Sequence, residues 1–298
     1  MIGVGTSLIV ATPILLVQVK GDRIVRRLLR LPVPVYFAIK TVFYFVVIGG
    51  GLTLARMLLS PGGLQLDETF RRSIVFAVGM AVVGNLIFDM AGLLGFGTLR
   101  ALFTGRYVHP RREQRAFLLI DMKDSTGIAE RLGPIRFHEL LNAFFRDISD
   151  AALECGAEIH KYVGDEAILT WPDASAAADN QSLACPFLAC DLIAKNADDY
   201  RRRFGLVPEF RAALHRGEIV TGEIGDVRRE IAYVGETLNV TARLLEAAKT
   251  GGRDVLVSDD LLSRTTLPAG LTAEKLPMLS VRGREAPLAI AALKRGKG

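Results

Sequence analysis

Asp121 and Asp165 are the two residues around which a reaction could be built. Asp121 closes the unbroken apolar run AFLLI at residues 116–120, the pattern of a buried strand. Asp165 sits in the dipeptide Gly164-Asp165, a tight-turn signal between two strand-like stretches, 158–163 and 166–171. If those strands are neighbours, both carboxylates meet at one edge of a sheet. Adjacent carboxylates repel unless cations lie between them, and hard oxygen donors suit Mg²⁺ or Mn²⁺. A two-metal clamp can activate an attacking oxygen and stabilise a leaving one in a displacement at phosphorus. Taken singly, each aspartate also fits an ordinary structural place, one in a Gly-Asp turn and one capping a loop. A second spacing supports joint use: Asn239 and Arg243 stand four apart in a helical stretch, so one helix face presents both.

The elements that must position these groups follow from periodicity. A polar loop with Ser125 and Thr126 follows Asp121. Residues 134–154 have a helical period, with Leu140, Leu141, Phe144, Phe145 and Ile148 as one apolar stripe. A helical stretch containing Pro186 runs to about Arg203. Strands are expected at 210–215, 218–223 and 230–234, a helix at 237–249, and short strands near 254–258 and 278–281. The opening order β-α-β-β-α-β is the ferredoxin-like arrangement, an α+β fold whose sheet is a rigid platform for residues at strand ends.

The chain's 298 residues suggest about two units. Half of them are hydrophobic and the mean hydropathy is +0.30, an excess that sits at the front. Residues 2–19 carry no charge, 33–59 carry only Lys40 and Arg56, and 73–99 carry only Asp89. A membrane-crossing helix needs about 20 apolar residues, so about three transmembrane helices are expected in residues 1–99, the first of them marginal in length. It lacks the basic start of a secretory signal. Lys20, Arg23, Arg26, Arg27 and Arg30 fill the first loop, and Arg100, Arg106, Arg111, Arg112 and Arg115 follow the third segment. The positive-inside rule puts both on the cytoplasmic side, giving a multi-pass inner-membrane protein with its soluble part in the cytoplasm. Asn85 and Asp89 share a face of the third segment and read as helix-packing groups. Residues 100–115, polar and basic around Pro110, read as a linker to a catalytic domain at 116–298.

The net charge of +5 is thus explained by membrane flanks, and no aromatic-and-basic stripe marks a nucleic-acid binder. Cys155, Cys185 and Cys190 show neither metal spacing nor an even count, and read as reduced thiols.

Three segments occur together and in order: Phe117-Leu-Leu-Ile-Asp-Met-Lys-Asp-Ser125-Thr126, His160-Lys-Tyr-Val-Gly-Asp-Glu166 and Gly235-Glu-Thr-Leu-Asn-Val-Thr-Ala-Arg243. They closely resemble the catalytic domain of class III nucleotidyl cyclases, membrane-anchored bacterial type, over about residues 115–294. Arg106-Tyr-x-x-Pro-Arg-x-Glu113 is similar to the approach segment of multi-span bacterial members. The resemblance implies an adenylate cyclase that forms cyclic AMP from ATP in a homodimer, with two Mg²⁺ or Mn²⁺ ions per site. It implies that Asp121 and Asp165 hold the metals, with the Met122 carbonyl available. Ser125 and Thr126 would meet phosphate oxygens, and Lys161 would bond the adenine. Asn239 would orient the ribose, Arg243 would stabilise charge at the α-phosphate, and Arg282 would grip the terminal phosphates.

Two positions depart from the family pattern. Ala232 stands where members often carry Asp, Thr or Ser as a second base-reading residue, and Arg282 replaces a frequent lysine. The metal and Asn–Arg pairs are intact. His160 should face away from Lys161 by strand alternation. His215 lies beside a turn without an obvious partner, and Glu223, Asp226 and Glu230 read as solvated loop charge. A diguanylate cyclase would carry a Gly-Gly-Asp/Glu-Glu-Phe turn where this chain has Tyr-Val-Gly-Asp-Glu. A receptor that only binds nucleotide would give no product.

Overall fold

The structure, a computed structural model, describes residues 33–59, 68–94, 103–174, 180–227, 229–280 and 286–296. The first apolar segment, the basic loop after it and Arg282 lie outside the described residues. Internal contacts divide the chain into two units, Met1–Leu99 and Arg100–Gly298.

In the first unit, helix α1 (Val33–Leu59) and helix α2 (Glu68–Leu94) cover most of the second and third apolar segments. Among the described residues, one helix meets the length and apolarity of a membrane crossing, at Val35–Leu54. The expectation of about three spans therefore has one candidate among the described residues. Val42, Phe45 and Val46 on α1 and Val75 and Phe76 on α2 are exposed, an arrangement that water disfavours and lipid accepts. Asn85 is buried, as a helix-packing group would be.

The second unit is built on strand β1 (Arg111–Met122), helices α3 (Ser125–Leu132) and α4 (Pro134–Glu154), and strands β2 (Glu158–Val163) and β3 (Glu166–Pro172). Helices α5 (Gln181–Lys195) and α6 (Ala197–Phe204) lead to β4 (Phe210–Ile224) and β5 (Glu230–Val234). Helix α7 (Glu236–Thr250), β6 (Val255–Ser258), the single turn α8 (Asp259–Leu262), β7 (Leu271–Leu279) and β8 (Leu288–Arg295) complete it. The sheet runs β2-β3-β1-β4-β6-β8-β7, with β5 also paired to β4. Its first four strands are ordered as a ferredoxin-like β-α-β-β-α-β unit requires.

β1 reads as continuously apolar because both its faces are covered. Ala116, Leu118, Ile120 and Met122 pack with Phe144 and Ile148 of α4 and with α5. Phe117 and Leu119 pack with Val240, Leu244 and Ala248 of α7. Burying a side chain such as Phe144 contributes about 1.5–3 kcal/mol.

Three expectations need correction. The helical stretch around Pro186 is two helices, and it breaks at Asn196 rather than at the proline. There Asn196 Nδ2 and Tyr200 Oη both donate to Asp147 of α4, at 2.8 and 2.7 Å. Residues 210–215 and 218–223 are one strand, because β1 pairs with β4 without interruption from Met122↔Phe210 to Arg111↔Thr221. Gly217 is therefore a close-approach glycine and not a turn: a Cβ there would lie 2.6 Å from Thr237 Oγ1 of α7. His215 is consequently inside β4, buried, with its Nδ1 2.8 Å from Ser258 Oγ. Strand β8 was not expected, since its run LAIAALKR is alanine-rich and alanine is depleted in strands.

Candidate active site

The antiparallel register of β1 and β3 sets Asp121 directly opposite Glu166, and the Met122 N–H donates to the Asp165 carbonyl at 3.4 Å. Gly164, at φ +62°, supplies the turn conformation that brings Asp165 back to this edge. The expected meeting of the two aspartates is realised, and Glu166 joins them. Asp121 is only 8 % exposed. Burial raises its carboxyl above the ordinary range; the negative charge of Asp165 adds to the rise and Lys249 opposes it. Burial, then Asp121, pushes Glu166 up to about 7.

Lys249, in the last turn of α7, lies with its Nζ 2.8 Å from Asp121 Oδ2. An ammonium thus sits where a carboxylate cluster calls for a cation, and the donor set fits a hard divalent ion. Among the described residues no three His, Cys, Asp or Glu side chains converge as a complete cage. One or two carboxylates suffice for Mg²⁺, which keeps waters and takes substrate phosphates as its other ligands.

Ser125 and Thr126 open α3 instead of lying in a loop, so their backbone amides stand at a helix start. Asp124 precedes them at φ 52°. Gly127 leaves room for the Asp124 carboxylate, which a Cβ there would push aside.

Lys161 stands away from the carboxylate cluster, on β2. Counted back from the Gly164 turn, an unbroken ladder would set His160 opposite Leu169 and Glu158 opposite Trp171. Instead Glu158 pairs with Thr170, and a β-bulge lies between Ile159 and Lys161. The extra residue breaks the alternation. Ile159 and Tyr162 both turn toward α4, where the Tyr162 ring packs 4.4 Å from Phe145. His160 and Lys161 both turn toward β5. The His160 ring is 4.6 Å from Tyr233, and Lys161 Nζ is 3.9 Å from Glu230 Oε1. His160 therefore does not face away from Lys161, and Glu230, exposed as expected, lies at the start of β5 near Lys161. Burial and the neighbouring Lys161 lower the His160 pKa to about 4, so the ring is neutral near pH 7. Ala232 is next to Tyr233 on β5.

Asn239 and Arg243 are exposed on α7, while Thr237, Val240, Thr241 and Leu244 are buried beneath them. Arg243 pairs with Glu246 at 2.8 Å. Lys249 lies ten residues beyond Asn239, about 15 Å along the helix at ~1.5 Å per residue. Within one chain, α7 thus carries Asn239 at the end remote from Asp121. Asp121, Asp165 and Met122 come together; Lys161 and Asn239 do not join them. Sequence reasoning missed Glu166 and Lys249. The first adjoined a recognised aspartate, while the second gave no signal, because its position depends on the length and phase of α7.

The profile of the family described as adenylate and guanylate cyclase catalytic domain matches residues 108–290. A protein named adenylate cyclase 2, from Rhizobium meliloti strain 1021, is 36% identical over 304 residues, covering 99% of this chain and 84% of that protein. The fold is similar to the crystal structure of the adenylyl cyclase CyaB from P. aeruginosa, with a TM-score of 0.53 and 20% identity, covering 63% of this chain and 97% of that one. It is also similar to the guanylyl cyclase Cya2, with a TM-score of 0.55 and 22% identity, covering 63% and 95%. With its carboxylate pair, its Asn–Arg helix and this match over most of its second unit, the chain belongs to the adenylate and guanylate cyclase catalytic-domain family.

Proposed function

We propose that this chain converts ATP to 3′,5′-cyclic AMP and pyrophosphate at clefts shared by two copies of itself. One observation carries the reading: α7 runs from Lys249 at the Asp121 carboxylate to Asn239 about 15 Å away, so one chain holds the two sets of groups at opposite ends of a helix. A twofold homodimer brings the carboxylate half of one copy against the Lys161, Asn239 and Arg243 half of the other, twice.

Asp121, Asp165 and the Met122 carbonyl hold two Mg²⁺ or Mn²⁺ ions in this reading. When bound, such ions supply Lewis acidity at the ribose 3′-hydroxyl and at the triphosphate. The 3′-hydroxyl loses its proton to water, its oxygen bonds to the α-phosphorus, and the α–β phosphoanhydride bond breaks so that pyrophosphate leaves. Asn239 orients the ribose for that attack. Arg243 stabilises charge on the transferred phosphorus, where such a donor is typically worth about 10²–10³ in rate. Ser125 and Thr126 at the start of α3 receive phosphate oxygens, and Arg282 takes the terminal phosphates. Lys161 bonds the adenine, with Ala232 leaving the second base-reading position without a side-chain hydrogen bond. The α1 window and the exposed apolar residues of α2 support a membrane anchor for a cytoplasmic catalytic domain.

The test is incubation of the full-length chain with ATP or GTP plus Mn²⁺ or Mg²⁺, identifying cyclic products by mass. Cyclic AMP should form, with a higher kcat/KM for ATP than for GTP. Equal or better cyclic GMP formation would show that the role given to Lys161 is wrong.

A further inference from the structure

β2 and β5 carry the two base-reading positions, Lys161 and Ala232, yet no ladder joins them. β2 lies at the sheet's end beyond β3 and β1, while β5 pairs with β4. Backbone ladders link the two only through β3, β1 and β4. One buried side chain reaches both. Arg115, on β1 and only 1 % exposed, donates from Nε to Thr170 Oγ1 at 3.1 Å. One terminal nitrogen donates to Glu158 of β2 and the other to Glu113 Oε2 at 3.3 Å. Its guanidinium carbon lies 5.0 Å above the ring of Tyr233 on β5. Tyr233 in turn meets His160, the residue beside Lys161.

We propose that Arg115 is a positioning residue for base recognition: it clamps Glu158 of β2 and Tyr233 of β5 at a fixed separation. It thereby holds the bulge that turns His160 toward β5. This rests on the reading of Lys161 as the adenine contact. The register shows how the clamp works. The Gly164 turn fixes Val163 opposite Glu166, and from there an unbroken ladder would carry Glu158 one residue past Thr170. Arg115 bonds both Glu158 and Thr170 and so holds them opposite each other. One extra residue is then trapped between two fixed registers, and bulges of this kind re-aim side chains. Without the clamp, His160 can fall back in line and leave Tyr233. β5 then loses its contact with the Lys161 strand. Arginine suits the task because its rigid planar fork reaches several acceptors at once while stacking flat on an aromatic ring; lysine's compact ammonium lacks that fixed geometry.

The test uses Arg115→Lys and Glu158→Gln in the full-length chain, with steady-state kinetics for ATP and GTP and a thermal melt. Glu158→Gln leaves Arg115 in place with Glu113 beside it, and decides the matter if Arg115→Lys does not fold. The expected result is a KM for ATP raised about tenfold in Arg115→Lys, comparable to losing one well-placed hydrogen bond, and a smaller rise in Glu158→Gln. In both variants kcat should stay near wild type and the preference for ATP over GTP should narrow. Folded variants with wild-type KM and selectivity, or with kcat alone reduced, would overturn the clamp and leave a structural role. A wild-type chain that forms no cyclic nucleotide would overturn the functional reading itself, a result separable from an active wild type with unchanged variants.

Discussion

At the end of β1 acidic groups gather with the ammonium of Lys249 beside them. Asp121 is buried, Glu166 is its cross-strand partner, and Asp165 occupies the adjoining turn. Glu166 carries a consequence in pH. Its side chain titrates near 4.5 when free and near 7 in the fold, so the folded, metal-free chain holds a proton that the unfolded chain has lost. Glu166 should therefore contribute a loss of stability to the metal-free chain as pH rises from about 4.5 to 7, while His160, lowered from 6.5 to about 4, contributes a gain between about pH 4 and 6.5, and metal binding near pH 6.5 should release protons. Denaturant midpoints across this range should fall more, or rise less, with pH in wild type than in Glu166→Gln; the same pH dependence in both would place the titrating group elsewhere. Arg243 should behave differently. Arg243→Ala should lower kcat by about 10²–10³ while changing KM for ATP little, as for a group acting on transition-state charge. The closeness of Asp121 and Asp165 and the shared helix of Asn239 and Arg243 were legible because recognisable short motifs surround them. Glu166 and Lys249 act through strand register and helix phase, which no motif records.

Among the elements, those governed by a single periodic signal were read to the residue. Helix 134–154 is one, since its apolar stripe has one face to fill and Pro134 marks its start. Errors fell where a residue type answers a neighbour distant in sequence. Gly217 resembled a turn but admits Thr237, and Asn196 ends a helix because Asp147 of α4 accepts its hydrogen bond. The His160 bulge is of the same kind, held by Arg115 from another strand. Gly217 gives this scale its own test. A methyl group there must displace the start of α7, where Thr237 bonds the Glu218 carbonyl. Gly217→Ala should cost about 1–3 kcal/mol in a denaturation experiment, the usual range for overpacking. It should also lower activity, because α7 carries Asn239 and Arg243. Wild-type stability would mean that the approach of α7 to β4 is looser than the structure has it.

For the whole molecule, two arrangements follow. The first belongs to the proposed membrane anchoring: residues 60–72, of mixed charge, should face outward, and the basic residues 20–30 should share the cytoplasm with the catalytic unit. Cysteine labelling of intact cells should modify the former and spare the latter; labelling within residues 20–30 would defeat the arrangement. The second is the shared site, on which the proposed chemistry depends. A chain with Asp121→Ala and Asp165→Ala lacks the carboxylates, and one with Asn239→Ala and Arg243→Ala lacks the opposing groups, so each homodimer should be nearly silent. Mixed dimers restore one complete cleft and leave the other with all four defects. With random pairing about half of the dimers are mixed, so co-expression at equal levels should return roughly a quarter of wild-type cyclic AMP formation. Silence after subunit exchange has been demonstrated would mean that each chain builds its own site, and the shared-cleft mechanism would be wrong.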